Sequence, residues 1–419
     1  MSRAVDVLIA GAGAVGLTAA ALLATGRCAD RVRVRVIEAG TLPRWDAARI
    51  DLRVYALSRA AQRVLEHLRI WQPLVASRAC PYRRMHVWEG DEPFGAAVLE
   101  FDSADVAEPD LGHIVEDGLL RSRLAEVVAA LPNAEIATGV TIEAVEAGER
   151  TVTVAFAGGG SAAATVLVAA DGTDSAVRRL LRMPVAARAY EQTAVVANVR
   201  SARPHRDTAW QRFLPSGPLA FLPLSDGSCS IVWSLPTMRA VELCAASAED
   251  FIAALQSASA GVLGALELAS PRASFPLQVL HAWRYTAPRV ALVGDAAHTV
   301  HPLAGQGMNL GLLDAASFAA VLEDAVLRGE DPGDWRVLRR YERERKGDNL
   351  QMLAALDGLQ RLFGLPAWAV PWRATGLGLV NGARMVKRAL MIRALGLDSR
   401  RKAAVRWSQD HGIPRIGTP

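Results

Sequence analysis

The run Gly11-Ala12-Gly13-Ala14-Val15-Gly16 has the residue types and spacing to hold a phosphate. Gly11 allows a tight turn, Gly13 lets a pyrophosphate approach the backbone, and Gly16 permits close helix–strand packing. An acid, Glu38, follows 22 residues after Gly16 and can accept both hydroxyls of a ribose. Ala14 and Val15 would open the helix whose free N–H groups face the phosphate. These residues work only if particular elements carry them. Residues 5–10 read as a buried parallel strand, 17–25 as a helix, and Val32 to Ile37 as a second strand ending at Glu38. That is a βαβ unit for a dinucleotide. It does not distinguish NAD from FAD, which share the fingerprint.

Two later segments extend the pattern. Residues 165–170 form another apolar strand and run into Asp171-Gly172-Thr173-Asp174-Ser175. That turn either packs under a cofactor or simply leads into a helix capped by Asp174 or Ser175. Arg289 to Gly294 is again a buried strand. It leads into Asp295-Ala296-Ala297-His298-Thr299-Val300-His301-Pro302, then Gly305-Gln306-Gly307-Met308-Asn309-Leu310-Gly311. His298 and His301 are spaced like a metal pair, but no carboxylate or Cys completes a ligand set, so no metal is expected.

Between these segments the composition changes. Residues 193–200, 209–214, 218–224 and 228–235 read as successive strands, with turns at 215–218 and at Asp226-Gly227. An antiparallel sheet inserted between halves of a nucleotide-binding domain would cover a substrate. Phe213, Phe221 and Trp233 are its candidates to contact an aromatic ring or an apolar tail, or else they are core of the sheet. The fold class expected is α/β. It comprises a Rossmann-like dinucleotide-binding domain, an inserted mixed or antiparallel substrate sheet, and a C-terminal helical segment. The expected divisions are 1–178 and 279–335 for the cofactor domain, 179–278 for the substrate domain, and 336–419 for a basic helical region.

The run from Gly294 to Asp314 resembles the ubiquinone-biosynthesis hydroxylase family of class A FAD monooxygenases, the fold group of p-hydroxybenzoate hydroxylase. So does Asp51-Leu52-Arg53-Val54-Tyr55-Ala56-Leu57-Ser58. Gln211 to Pro215, Phe221 to Leu224 and Val232 to Ser234 match the same pattern, and the resemblance covers most of the chain. It implies FAD as cofactor, O2 as co-substrate, and NAD(P)H or a partner reductase as electron donor. The reaction implied is hydroxylation of a polyprenylated phenol through a flavin 4a-hydroperoxide. Alternatives are a small soluble aromatic substrate, or a non-catalytic FAD-binding part of a quinone-biosynthesis complex. Asp295 resembles the residue that bonds the ribityl chain, with helix capping as its other reading. Gly305, Gln306, Gly307, Met308 and Asn309 would open a helix aimed at the pyrimidine edge of the flavin, where negative charge develops on reduction. Arg53 would face the pyrophosphate or flavin, or lie on the surface. His301 and Pro302 would line the flavin pocket, His301 as a proton relay or a structural histidine. At Asp117-Gly118 the family usually has an Asn-Arg-like pair, so this chain lacks a positive charge there.

The 419 residues carry 47 basic and 43 acidic side chains, a formal charge of +4, and 51% are apolar. Disorder is excluded, and so weak an excess argues against nucleic-acid binding. Yet residues 372–406 hold nine basic residues against Asp398 alone, which leaves the remainder at −4. This segment either packs on the cofactor domain or contacts anionic lipid or an acidic partner. Arg393 falls on its apolar side. Cys28, Cys80, Cys229 and Cys244 are scattered, as suits a reducing cytoplasm. The apolar run 7–26 splits at its glycines into strand, turn and helix, so it is not expected to span a membrane. The expected place is the cytoplasm, with peripheral contact at the inner membrane face. Nothing in the residues indicates an oligomeric state. Gly376 to Gly382 mimics a second fingerprint with the wrong spacing, so a separate NADPH domain is not expected.

Overall fold

The computed structural model describes residues 5–95, 97–301, 305–365, 368 and 370–397. The chain is α/β, as its patterning requires. Strand Val5–Ala10 lies at the centre of a six-stranded sheet, between Val166–Ala169 and Val32–Glu38. Both neighbours run parallel to it, with Ile9 opposite Val168 and Val36. Val290–Leu292 adds to one side and Ala134–Thr138 to the other. Strands buried on both faces need continuous apolar runs, and 7–10 and 166–169 supply them.

Helix Ala14–Thr25 is buried almost all round. It packs on the long helix Gln306–Leu327. The two approach closely because of a glycine: a Cβ at Gly311 would lie 2.6 Å from the Val15 side chain.

A second sheet of nine strands forms the other half. Its centre is Val185–Ser201, Thr208–Leu214, Gly217–Pro223 and Cys229–Pro236, near the expected positions. It also recruits Arg84–Glu89, which pairs in parallel with Thr208–Leu214, and Val98–Asp102 beyond it. It is therefore a mixed sheet, and a chain division at 178 cuts across it. Non-local pairing of this kind leaves no local signal in sequence.

Three helices follow: Trp335–Phe363, Val370–Gly382 and Arg384–Ala394. The look-alike glycines 376, 378 and 382 lie within the second of them. No described helix is long and apolar enough to cross a membrane.

A fully buried carboxylate ties these parts together. Asp314 accepts hydrogen bonds from Gly294 N–H (3.1 Å), Arg345 Nε (2.8 Å) and Asn349 Nδ2 (3.0 Å), and its other contact is His298 Nε2 at 2.5 Å. One side chain thus joins a strand exit, the Gln306–Leu327 helix and the Trp335–Phe363 helix. Burial alone would push this carboxyl up. His298 and Arg345 outweigh it and hold it down at about 2. Its folded value lies below the ordinary 3.8, so its contribution is complete above about pH 4 and is lost as pH falls through about 2.

Removing one member of a buried ion pair typically costs about 3–5 kcal/mol. Asp314→Asn should therefore lower unfolding stability by about that amount at pH 7, measured by urea titration. The gap from wild type should narrow as pH falls through about 4 to about 2.

Candidate active site

Between the two sheets lies a cavity of about 1160 Å³. Drug-sized pockets run about 300–1,000 Å³, so this one has room for a large cofactor and a second molecule. Its two ends differ in chemistry.

The first end is the glycine turn. Gly11 has φ +102°, and a Cβ there would sit 2.4 Å from the Ala170 carbonyl oxygen. A Cβ on Gly16 would sit 2.1 Å from the Gly11 oxygen. Around Gly13 nothing lies within 4 Å of the Cβ position. Gly11 and Gly16 are thus fixed by the protein's own packing, whereas Gly13 opens onto the cavity, where a phosphate would approach. Gly16 does not line the cavity; Ala14 and Val15 do. Glu38 accepts from Ala12 N–H (2.7 Å) and Gly40 N–H (2.9 Å), one bond on each oxygen. This sets the carboxylate at the end of its strand with lone pairs left for ribose hydroxyls.

Next along the cavity are Arg53, Tyr55, Asp117 and Arg121. The Tyr55 hydroxyl donates to Asp117 (2.7 Å), and the Arg53 guanidinium lies over the Tyr55 ring. The Asp117-Gly118 pair now has a physical reason. Asp51 accepts from Gly118 N–H at 2.7 Å, and a Cβ at 118 would lie 2.6 Å from that carboxylate oxygen. A side chain at 118 would displace the Asp51 carboxylate from the start of helix Asp117–Ala129. The positive charge lacking at 118 is supplied one turn later. Arg121 donates to the Ala12 carbonyl (3.3 Å) and lies 3.6 Å from Asp117. Sequence reading missed Arg121; its four-residue spacing from Asp117 was the available signal.

The middle of the cavity is built by Asp295, His301 and residues 305–308. Gly305 has φ +60° and caps helix Gln306–Leu327, and a Cβ there would crowd Ala56 at 3.0 Å. Gly307 meets only ordinary contact, so its bareness serves whatever occupies the cavity. Burial pushes the Asp295 carboxyl up, while His298 and Arg53 oppose this. Burial lowers His301 to about 4, so it is a neutral imidazole at pH 7. Its ring meets Tyr190 edge-on at 5.1 Å. Pro302 lies outside the described residues. Asp171 and Gly172 also line the cavity. Asp171 also accepts from Val177 N–H, and Ser175 caps the helix after it, as the capping reading of that turn expects.

Several expectations change here. Asn309 does not line the cavity. Its amide donates to the Ala56 carbonyl (2.9 Å) and accepts from Ser58 N–H (2.8 Å), fastening the 51–58 segment to the helix. Phe221 and Trp233 do not line it either. Their neighbours Ala220, Leu222, Val232 and Ser234 do. Side chains alternate along a strand, so the aromatics point into the separate core under helices Thr237–Ala245 and Ala248–Ala258. Of the three aromatics only Phe213 faces the cavity, stacked on Phe363 with centroids 3.6 Å apart. His298 serves Asp314. The far end is apolar, walled by Met352, Leu356, Phe363, Leu377 and Leu390 from the three C-terminal helices.

Phosphate turn, ribose acid, helix N-terminus and cavity size all fit FAD. The comparisons agree. A family model described as FAD binding domain matches residues 4–354, and the chain belongs to that family. It is an FAD-dependent monooxygenase. Ubiquinone hydroxylase UbiL of Rhodospirillum rubrum is 36% identical, over 94% of this chain and 90% of that protein. The 3-demethoxyubiquinol 3-hydroxylase of Escherichia coli is 34% identical, over 94% and 98%. The ubiquinone biosynthesis monooxygenase COQ6 of Danio rerio is 33% identical, over 92% and 88%. Two of these names print a hydroxylase and the third a monooxygenase, each tied to ubiquinone, a ubiquinol compound or ubiquinone biosynthesis. Among solved structures, Pseudomonas aeruginosa PqsL in complex with 2-aminobenzoylacetate superposes with a TM-score of 0.74 at 26% identity, covering 90% of this chain and 99% of that one. The p-nitrophenol 4-monooxygenase PnpA of Pseudomonas putida shares the fold, with a TM-score of 0.74 at 20% identity over 94% and 99%.

Asp295→Ala should weaken FAD about ten- to a hundredfold, the worth of a charged hydrogen bond. Flavin fluorescence titration reads this directly; a variant that keeps full affinity removes Asp295 from the cofactor site. Gly13→Val should lose FAD yet keep the apoprotein's Tm, whereas Gly16→Val should lower that Tm. A turnover profile should show no limb near 6.5 that His301→Asn abolishes, because His301 protonates only near 4.

Proposed function

We propose that this chain hydroxylates the aromatic ring of a polyprenylated phenol in ubiquinone biosynthesis, with O2 as co-substrate and NAD(P)H or a partner reductase as donor. The observation that carries the reading is the division of one cavity. A polar end suits a dinucleotide, and an apolar end, remote from the glycine turn, suits a long hydrocarbon chain. The relatives' names point to the same substrate class. Bound FAD would supply the oxygen-activating chemistry.

The chain's own residues then do the following. Gly13 and the helix it opens bind phosphate, with Arg121 offsetting charge nearby. Glu38 holds the adenosine ribose, and Asp295 the ribityl chain. The N-terminus of Gln306–Leu327 favours negative charge on the flavin. Phe213 and the apolar wall exclude water and position the ring. Neutral His301 can hold a proton on one nitrogen and accept one at the other, at the boundary between flavin and substrate. A quinone-biosynthesis complex and contact with the inner membrane face belong to this reading, since the substrate is held in lipid.

Phe213→Ala should raise KM for a prenylated phenol and also lower Tm, since the ring is buried against Phe363. Phe221→Ala, in the core, should cost about 3–5 kcal/mol of stability and leave KM nearly unaltered. Profiling quinone intermediates in a deletion strain tests the pathway. One unhydroxylated prenyl phenol should accumulate; an unchanged profile contradicts the reading.

A further inference from the structure

The two last described helices have opposite faces with different tasks. Inward, Leu377, Met391 and Leu395 line the cavity. Arg393, the residue that spoilt the helical pattern, also borders the cavity while remaining exposed, with its guanidinium 2.5 Å from Gln351 Oε1. Polar latches hold the pair in place. Arg373 grips the buried Glu89 through two nitrogens, and Lys387 pairs with Asp105 at 2.9 Å. Asn381 accepts from Glu100 N–H.

Outward, the surface is unlike the rest of the molecule. Trp372 is 76% exposed, Met385 83%, and Trp368, Leu379 and Val386 are also open. Clustered large apolar side chains on a surface mark a site of contact. The charge says with what. From residue 358 to 397 the chain has six Lys or Arg and no Asp or Glu; Arg361, Arg373 and Lys387 are paired with Asp357, Glu89 and Asp105, which leaves Arg384, Arg388 and Arg393. Arg384 and Arg388 are exposed among the apolar residues. Exposed Trp beside Arg on helices matches the boundary of an anionic bilayer: rings settle among headgroups and cations meet lipid phosphate. Leu390 both lines the cavity and is half-exposed, so the surface adjoins the apolar end of the site.

We propose that the outer face of Val370–Gly382 and Arg384–Ala394, with Trp368, docks on an anionic phospholipid surface, so that the cavity's apolar end opens towards lipid. This extends the lipid-borne substrate reading and rests on it for its purpose, but it is tested separately. The holoprotein is floated with vesicles of phosphatidylcholine alone or mixed with phosphatidylglycerol. The mixed vesicles should carry it, and pure phosphatidylcholine should carry far less. Arg384→Glu with Arg388→Glu should weaken anionic binding by at least about thirtyfold. Trp368→Ser with Trp372→Ser and Met385→Ser should abolish it. Flavin content and Tm should match wild type in both variants, since all five side chains are exposed. Indifference of wild type to anionic vesicles overturns the proposal, as do variants that bind like wild type. So does a dimer that Trp372→Ser dissociates while vesicles go unbound, which would assign the face to a second copy. Turnover of a short-tailed soluble phenol separates the two readings. A protein that floats but hydroxylates no phenol loses the substrate reading and keeps the docking face. A protein that hydroxylates the short phenol but ignores vesicles does the reverse.

Discussion

The site depends on one buried carboxylate. Asp314 has no access to water and is held ionised by His298 and Arg345. A charge in so dry a place survives only with its partners fixed, so it fixes them in return. Gly294 and His298 bracket Asp295. Asp314 itself stands on the helix that begins at Gly305, and Arg345 and Asn349 stand on the helix that carries Met352, Leu356 and Phe363 to the cavity. Asp295, the helix N-terminus and the apolar roof are thereby set relative to one another by a single polar cluster. Such a cluster adds little net stability over an apolar core, but it specifies one geometry.

Around that cluster the two ends of the cavity follow different physics. The glycine turn offers bare backbone and helix N-termini, with acids and bases paired close by. Asp51, Glu116 and Asp117 crowd the start of helix Asp117–Ala129, where its dipole favours negative charge. Arg78 answers Glu116 at 2.8 Å, and Arg121 reaches back to the turn. The far end is carbon. It is closed by helices whose inner faces are core and whose outer faces are exposed. On the proposed reading a flavin would take the first environment and a prenyl chain the second, with the reacting ring between them.

Much of this was legible in the residues. The glycine triplet and Glu38 stand where their spacing put them, because each part of a βαβ unit is local in sequence, and Asp295, His301 and Gly305 to Gly307 line the cavity. What was not legible is non-local or turns on one residue of register. Phe221 and Trp233 are one place out of phase with the cavity face, and alternation sends them into the opposite core. Asn309 looked like a cofactor residue but spends its amide on Ala56 and Ser58, some 250 residues earlier. Gly118 is explained only by Asp51, brought to it by folding. The strands at 84–102 joined the second sheet through pairings that no periodicity announces. Of the basic segment 372–406, residues 398–406 lie outside the described part. The rest bears out neither packing nor lipid alone: one face packs and the other is exposed.

The most direct test of the account is the fate of molecular oxygen. The purified flavoprotein is given a reductant, isotopically labelled O2 and a prenylated phenol, and the product is analysed by mass spectrometry. The account predicts a ring-hydroxylated product carrying one labelled oxygen atom, formed only when flavin is bound. Flavin that cycles between reduced and oxidised forms with every such phenol while no labelled product appears would contradict it.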